Sequence, residues 1–169
     1  MKLLRFLKHM IAPAWMMRQA FLAETLQEIE SAVRELEQRH AGELRFVVEA
    51  GLSFQHLWQG VTTRERALEV FSQLRVWDTE CNNGVLIYLQ MIDRRVEILA
   101  DRGINARVAQ SEWDAICREM EGMFRTGAYA RGALQAVASI GRLLALHFPA
   151  APDQGKSPLN ELPDRPLLL

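Results

Sequence analysis

Between Phe21 and His40, apolar side chains return at steps of four and three, at Leu22, Leu26, Ile29, Val33 and Leu36, with Glu24, Glu28, Arg34, Glu35 and Glu37 between them. That spacing lays one apolar stripe along an α-helix, which ends near Gly42. The period then drops to two. Leu44, Phe46 and Val48 alternate with Arg45, Val47 and Glu49 before Gly51, the pattern of a first strand. Thr62 and Glu65 have capping-box spacing, and Ala67, Val70, Phe71 and Leu74 form the buried stripe of the helix they start. Val85 to Leu89 is an unbroken apolar run, expected for a central strand parallel to the first and covered on both faces. Met91 to Arg94 breaks it, and Val96 to Ala100 resumes, which predicts an antiparallel hairpin. Ser111 and Asp114 again have capping-box spacing, ahead of Trp113, Ile116, Cys117, Met120 and Phe124 at helical intervals, with Gly127 closing that helix. A last helix, about Tyr129 to Leu146, is apolar nearly all round, with Gly132, Ala136 and Gly141 permitting close approach, and should be the most buried. Beyond His147 come Pro149, Pro152, Pro158, Pro163 and Pro166, without periodicity. This order of elements predicts an α/β fold: a small mixed sheet containing a β-hairpin, with helices on both faces.

The chain has 169 residues, enough for one domain with a substantial core, and its hydrophobic content of 49% is that of a globular protein. Twenty basic against twenty-one acidic residues give a net charge of −1, which argues against nucleic acid as a partner. Cys81 and Cys117 are too few for a disulfide framework and are expected as reduced thiols in the cytoplasm. The charge is unevenly placed. Lys2, Arg5, Lys8 and Arg18 precede the first acid, Glu24, among Leu3, Leu4, Phe6, Leu7, Met10 and Ile11. Lys8 and His9 interrupt the apolar run and Pro13 falls in the next, so the segment is not read as a signal peptide. It is expected either to pack on its own domain or to meet a membrane surface or a partner through a basic amphipathic face.

Chemistry concentrates at one end of the expected hairpin. With the turn near Ile92, Asn82, Asn83 and Gly84 come beside Asp101, Arg102 and Gly103. Two amides, a carboxylate, a guanidinium and two glycines can bind a small ligand there, or a hard cation such as calcium with Asp78, Glu80 and Asp101 as metal ligands. The same residues are also ordinary turn chemistry and a surface ion pair. No nucleophile elbow, phosphate loop or zinc-protease motif is present. His9, His40, His56 and His147 are far apart and read as surface or cap histidines. His40 and His147 lie at helix C-termini, where a positive charge is favoured. Arg45, Arg64 and Arg66 read as a solvated helix start rather than an anion patch.

The string Arg66-Ala67, Phe71, Leu74, Thr79, Asn83-Gly84-Val85-Leu86-Ile87, Asp93-Arg94 and Val96-Glu97-Ile98, continued by Trp113, Phe124, Gly127, Tyr129 and Gly132, resembles the TPM domain family. The resemblance covers about residues 20–148, leaving a basic apolar segment at 1–19 and a Pro-rich tail at 149–169. It implies a three-layer α/β/α sandwich, divalent-metal binding in some members and an acid phosphatase activity claimed for others. The family's usual Asp-Asn-Gly is matched here by Asn82-Asn83-Gly84, with one carboxylate replaced by an amide. Its Gly-x-Gly-x-Glu is matched by Asp101-Arg102-Gly103-Ile104-Asn105, with the final acid lost. The expectation is therefore a non-catalytic ligand- or partner-binding module at the inner face of a membrane, accessory to a membrane protein. A metal-dependent phosphatase and a peripheral membrane protein held by residues 1–17 are the alternatives.

Overall fold

A computed structural model describes residues 2–11, 14–150 and 160–169. Pro13, Pro152 and Pro158 lie outside them, and Lys2, Leu3, Leu4, Met10, Ile11, Ala14 and Trp15 are described in backbone only. The elements run α1 (Lys2–Ile11), α2 (Ala14–Ala20), α3 (Ala23–Glu37), β1 (Glu43–Glu49), α4 (Phe54–Gln59), α5 (Thr63–Gln73), β2 (Gly84–Gln90), β3 (Arg95–Ala100), α6 (Arg102–Asn105), α7 (Gln110–Arg125), α8 (Tyr129–His147) and β4 (Leu167–Leu168).

The sheet has the order β3-β2-β1-β4. β1 and β2 are parallel, with Phe46 opposite Ile87, and β2 and β3 form the expected antiparallel hairpin, with Val85 opposite Ala100. Because side chains alternate along a strand, each strand feeds two cores. Leu44, Phe46, Val48, Val85, Ile87, Leu89 and Ile98 pack with α3, α7 and α8. Val47, Leu86, Tyr88 and Leu99 pack with Ala67 and Val70 of α5. The result is a three-layer α/β/α sandwich. Gly132 and Gly141 let α8 sit against its neighbours, since a Cβ would come 2.9 Å from Phe124 and 2.8 Å from Leu36.

Burial on both faces makes the polar half of β1 internal, and each of its charges has to find a partner. Glu49 accepts from Arg66 Nε and Nη2 at 3.0 Å and from the Tyr88 hydroxyl, and a second Arg66 amine reaches Glu69 at 3.0 Å. Arg45 Nη1 donates to the carbonyls of Pro163 and Arg165, both at 2.6 Å. Arg64 donates to the Ile98 carbonyl at 3.1 Å. The solvated cluster expected of these arginines is corrected: Arg45 and Arg66 are structural cations inside the sandwich.

The tail differs from expectation in the same way. Residues 160–169 return to the sheet: β4 pairs parallel with β1, Leu167 beside Val47, and Leu162 enters the α5-side core. Glu43 accepts from the amides of Glu161 and Leu162 at 3.2 and 3.1 Å, and Arg34 pairs with Asp164 at 3.1 Å. Pro163 and Pro166 stand among these contacts, and Pro166, with no N–H to give a ladder, immediately precedes the short edge strand.

Two helix starts illustrate local control. Thr62 and Glu65 make the expected capping box, with Glu65 N–H to Thr62 Oγ1 at 3.2 Å and Thr62 N–H to Glu65 Oε2 at 2.7 Å. The box expected of Ser111 and Asp114 is not used. α7 starts earlier, Glu112 accepting from Ala109 N–H at 3.1 Å, and Asp114 takes a bond from Gln110.

Beneath the tail, burial pushes the Glu37 carboxyl up to about 8, opposed by donation from Leu44 N–H and reinforced by the charges of Glu43 and Asp164. The folded state therefore holds a proton that the unfolded chain gives up near pH ~4.3. That contribution is complete below the unfolded value and is lost as pH rises through about 8. Wild-type stability is expected to fall with pH across this window by up to about 1.4 kcal/mol per unit. Glu37→Gln, which keeps an acceptor for Leu44, is expected to reduce that slope. Urea midpoints from pH 5 to 9 read it, and equal slopes in the two proteins would place the proton elsewhere.

Candidate functional site

At the hairpin end the two strands meet as their pattern requires: Asp101 N–H donates to the Gly84 carbonyl at 2.8 Å. The polar groups there are nevertheless occupied by the chain itself. Asn82 takes the left-handed conformation, φ 53°, and its Oδ1 accepts from Arg102 Nε at 2.7 Å. Asp101 caps α6, its Oδ1 accepting from Arg102 N–H at 2.6 Å. Asn83 is buried, with its N–H on Thr79 Oγ1 at 3.0 Å and its amide nitrogen on the Ala41 carbonyl. The glycines serve the fold too. A Cβ on Gly84 would sit 1.9 Å from the Val76 carbonyl oxygen, and one on Gly103 would sit 2.5 Å from that of Asn82.

Two oxygens remain buried and unpartnered, Asn83 Oδ1 and Asp101 Oδ2. The register separates them. Gly84 and Asp101 continue the ladder on the face of Leu86 and Leu99, whereas Asn83 falls on the face of Val85 and Ala100. Asn83 is thus set on the other face of the sheet from Asp101, while Asn82, Asp101 and Arg102 stay together, which corrects the single mouth expected of these residues. The metal set fares likewise. Asp78 is 3.8 Å from Arg75, Glu80 N–H donates to Glu161, and Asp101 is a helix cap. Among the described residues, no three His, Cys, Asp or Glu side chains gather to hold a metal ion. Calcium takes six to eight oxygens, so the donors at this end do not fit the divalent ion that the resemblance implies.

Two of the histidines, His40 and His9, depart from the sequence reading. His40 is buried, accepts Gly42 N–H on Nδ1 at 3.2 Å, and is held by burial below the ordinary histidine value, so it supplies no charge to the α3 C-terminus. His9 is buried between Leu52 N–H, which donates to Nδ1 at 3.0 Å, and Asp93, 3.2 Å from Nε2. Those partners select the tautomer with its proton on Nε2. Arg5 grips the same Asp93 at 2.7 Å, so α1 is fastened to the β2–β3 turn, and the N-terminal segment packs on its own domain. His56 does meet a serine: Ser53 Oγ lies 2.9 Å from Nδ1, and Glu69 3.2 Å from Nε2. Ser53 is the N-cap of α4 and already accepts from His56 N–H, which makes this a local capping arrangement. Cys117 packs against the larger core, where burial foremost pushes its thiol up to about 12, and Cys81 is exposed.

An open cleft of about 540 Å³ lies at the opposite end of β2. Met16 and Ala20 of α2, Leu22, Met91 just after β2 and the Tyr129 ring provide an apolar lining, while Gln19, Thr25 and Arg131 supply polar groups. Tyr129 is fixed by tilted contacts with Phe21 and Phe124, at 6.1 and 5.1 Å between ring centres. The preceding Gly127, φ 81°, turns the chain from α7 into α8. The α8 N-terminus opens into this cleft behind Ala128, whose side chain has no oxygen to cap it. Residues from positions 16–25, 91 and 127–131 form the site, and no local motif joins them. Of the lining residues, the sequence analysis singled out Leu22, Met91, Gly127 and Tyr129, each for its place in an element or in the family pattern and none as part of a site.

No helix among the described residues is long and apolar enough to cross a membrane. No curated protein matches the chain. The NMR structure of the BA42 protein from the psychrophilic bacterium Bizionia argentinensis is similar, with a TM-score of 0.74 and 29% identity, over 87% of this chain and 94% of that one. The TPM domain profile matches residues 17–143, a span that holds the sheet's three long strands, the covering helices up to the last turn of α8 and every residue lining the cleft except Met16. On that match, this chain belongs to the TPM domain family.

Proposed function

We propose that the chain is a ligand-binding TPM module, and that its ligand is a small amphipathic molecule with one acidic group, held in the cleft between α2, the β2–β3 turn and the α7–α8 junction. The observation that carries this reading is the pairing of an apolar lining with Arg131 and an uncapped helix start in one concavity. Open α/β sheets receive ligands beyond the carboxyl ends of their strands, which is where Met91 stands. The lining takes an alkyl or aryl body, and the guanidinium and the partial positive charge of α8 take the acid. The cleft's lining is mostly apolar, with Gln19, Thr25 and Arg131 as its polar side chains and the Tyr129 hydroxyl as its one proton-exchanging group, a set suited to binding and orienting a ligand.

Decanoate tests the reading. Titrated against isotope-labelled protein, it is expected to shift the amides of Gln19, Met91 and Ala130 together. Arg131→Glu is expected to weaken it about tenfold, the scale of one lost charge-assisted contact. Shifts scattered over the surface, or an affinity unchanged in Arg131→Glu, would overturn it.

A further inference from the structure

A second surface is built where α1 meets α4. Helix α4 buries none of its residues. Phe54 and Trp58 stack on it with ring centres 6.1 Å apart and an interplanar angle of 13°, yet they are 56% and 79% exposed. Phe6 of α1 meets Phe54 edge-on at 5.5 Å, and Leu7, 47% exposed, lies beside exposed Lys8 on the same helix. Both helices are held firmly: α1 by Arg5 and His9 on Asp93, and α4 by its Ser53 cap and Gly60 at φ 72°. A tryptophan so exposed adds little to the fold by burial, and it stands out on a ledge instead of lining a groove.

Charge selects the occupant. Residues 1–23 and 50–64 contain no Asp or Glu and carry Lys2, Lys8 and Arg18 besides Arg5 and Arg64, which are paired with Asp93 and Glu97, although the whole chain has a net charge of −1. The acids facing these helices are already engaged: Asp93 with Arg5 and His9, Glu69 with Arg66 and His56, Glu97 with Arg64, and Glu65 with the Thr62 cap. Aromatic rings at headgroup depth beside basic side chains are the arrangement that favours an anionic lipid interface. The ledge is small for a protein partner. Aromatic rings bury roughly 150–250 Å² each, so a few of them fall short of the ~800 Å² per side of a stable protein interface.

We propose that the α1–α4 ledge, with Phe54 and Trp58 at its tip and basic residues around it, docks the protein on an anionic membrane surface. The contact is carried by α4, which the N-terminal segment supports, and it does not depend on the cleft. Full-length protein sedimented with phosphatidylglycerol–phosphatidylcholine vesicles is expected to bind, and to release in 0.5 M salt or with phosphatidylcholine alone. The double variant Phe54→Ser, Trp58→Ser is expected to bind at least about tenfold less, with an unchanged thermal midpoint because both rings already face solvent. Lys8→Glu is expected to weaken binding without touching the rings. No sedimentation with the anionic vesicles, or equal sedimentation of the double variant, overturns the proposal. So does a wild-type dimer that the double variant abolishes, since the ledge would then belong to a protein partner.

Discussion

Replacing Arg66 with methionine is expected to destabilise the fold by about 3–5 kcal/mol, because it leaves Glu49 as an uncompensated charge inside the sandwich. Glu49, Arg66 and Tyr88 are 6%, 9% and 0% exposed, so water has little access to the orphaned carboxylate. Tyr88 sharpens the effect. Its hydroxyl donates to Glu49, and burial first, then the Glu49 charge, pushes that phenol far up, so it remains a neutral donor unable to replace a cation. The double change Glu49→Gln, Arg66→Met removes both charges and should cost clearly less than the sum of the single changes. Urea unfolding of the four proteins measures this. An Arg66→Met midpoint within error of wild type would show that the carboxylate finds another partner.

The second large effect concerns residues 160–169. Ending the chain after Ala150 removes the carbonyls that hold Arg45, the amides that hold Glu43, and the buried Leu162. A loss of about 3 kcal/mol or more is expected, since two part-buried charges lose their partners together. The edge of β1 at Val47 and Val48 would also open, and such an edge pairs with other chains. Thermal unfolding and size-exclusion chromatography test both consequences. Adding Arg45→Met to the truncated chain should recover part of the stability by removing one orphaned charge. A truncated chain that is monomeric and as stable as the full one would show that the returning segment holds nothing together.

The layers of the fold are legible where a pattern is long or continuous. Val85 to Leu89 announces a strand covered on both sides, and the break at Met91 to Arg94 announces its reversal. Helix α4 is too short to show a period, and the pattern places no element between Gly51 and Thr62. Strand β4 has two residues just after Pro166 and exists because Val47 and Val48 offer it a ladder, information that lies far away in the chain. At the hairpin end the adjacency of Gly84 and Asp101 could be read. What could not be read was the left-handed turn at Asn82 and the approach of the Val76 carbonyl to Gly84, which spend those groups on the fold. The cleft draws on three distant segments and had no local signature to read.

Arg45 and the Arg165 carbonyl it holds are 120 residues apart. At a synthesis rate of ~5–20 residues per second, the ribosome delivers the second roughly 6–24 seconds after the first. Hairpins form in microseconds, so β2 and β3 are in place long before the remaining border of β1 can be sealed. During translation the nascent domain therefore carries an open β-ribbon for many seconds, and its safe production depends on keeping neighbouring polysome chains away from that ribbon until the final stretch arrives.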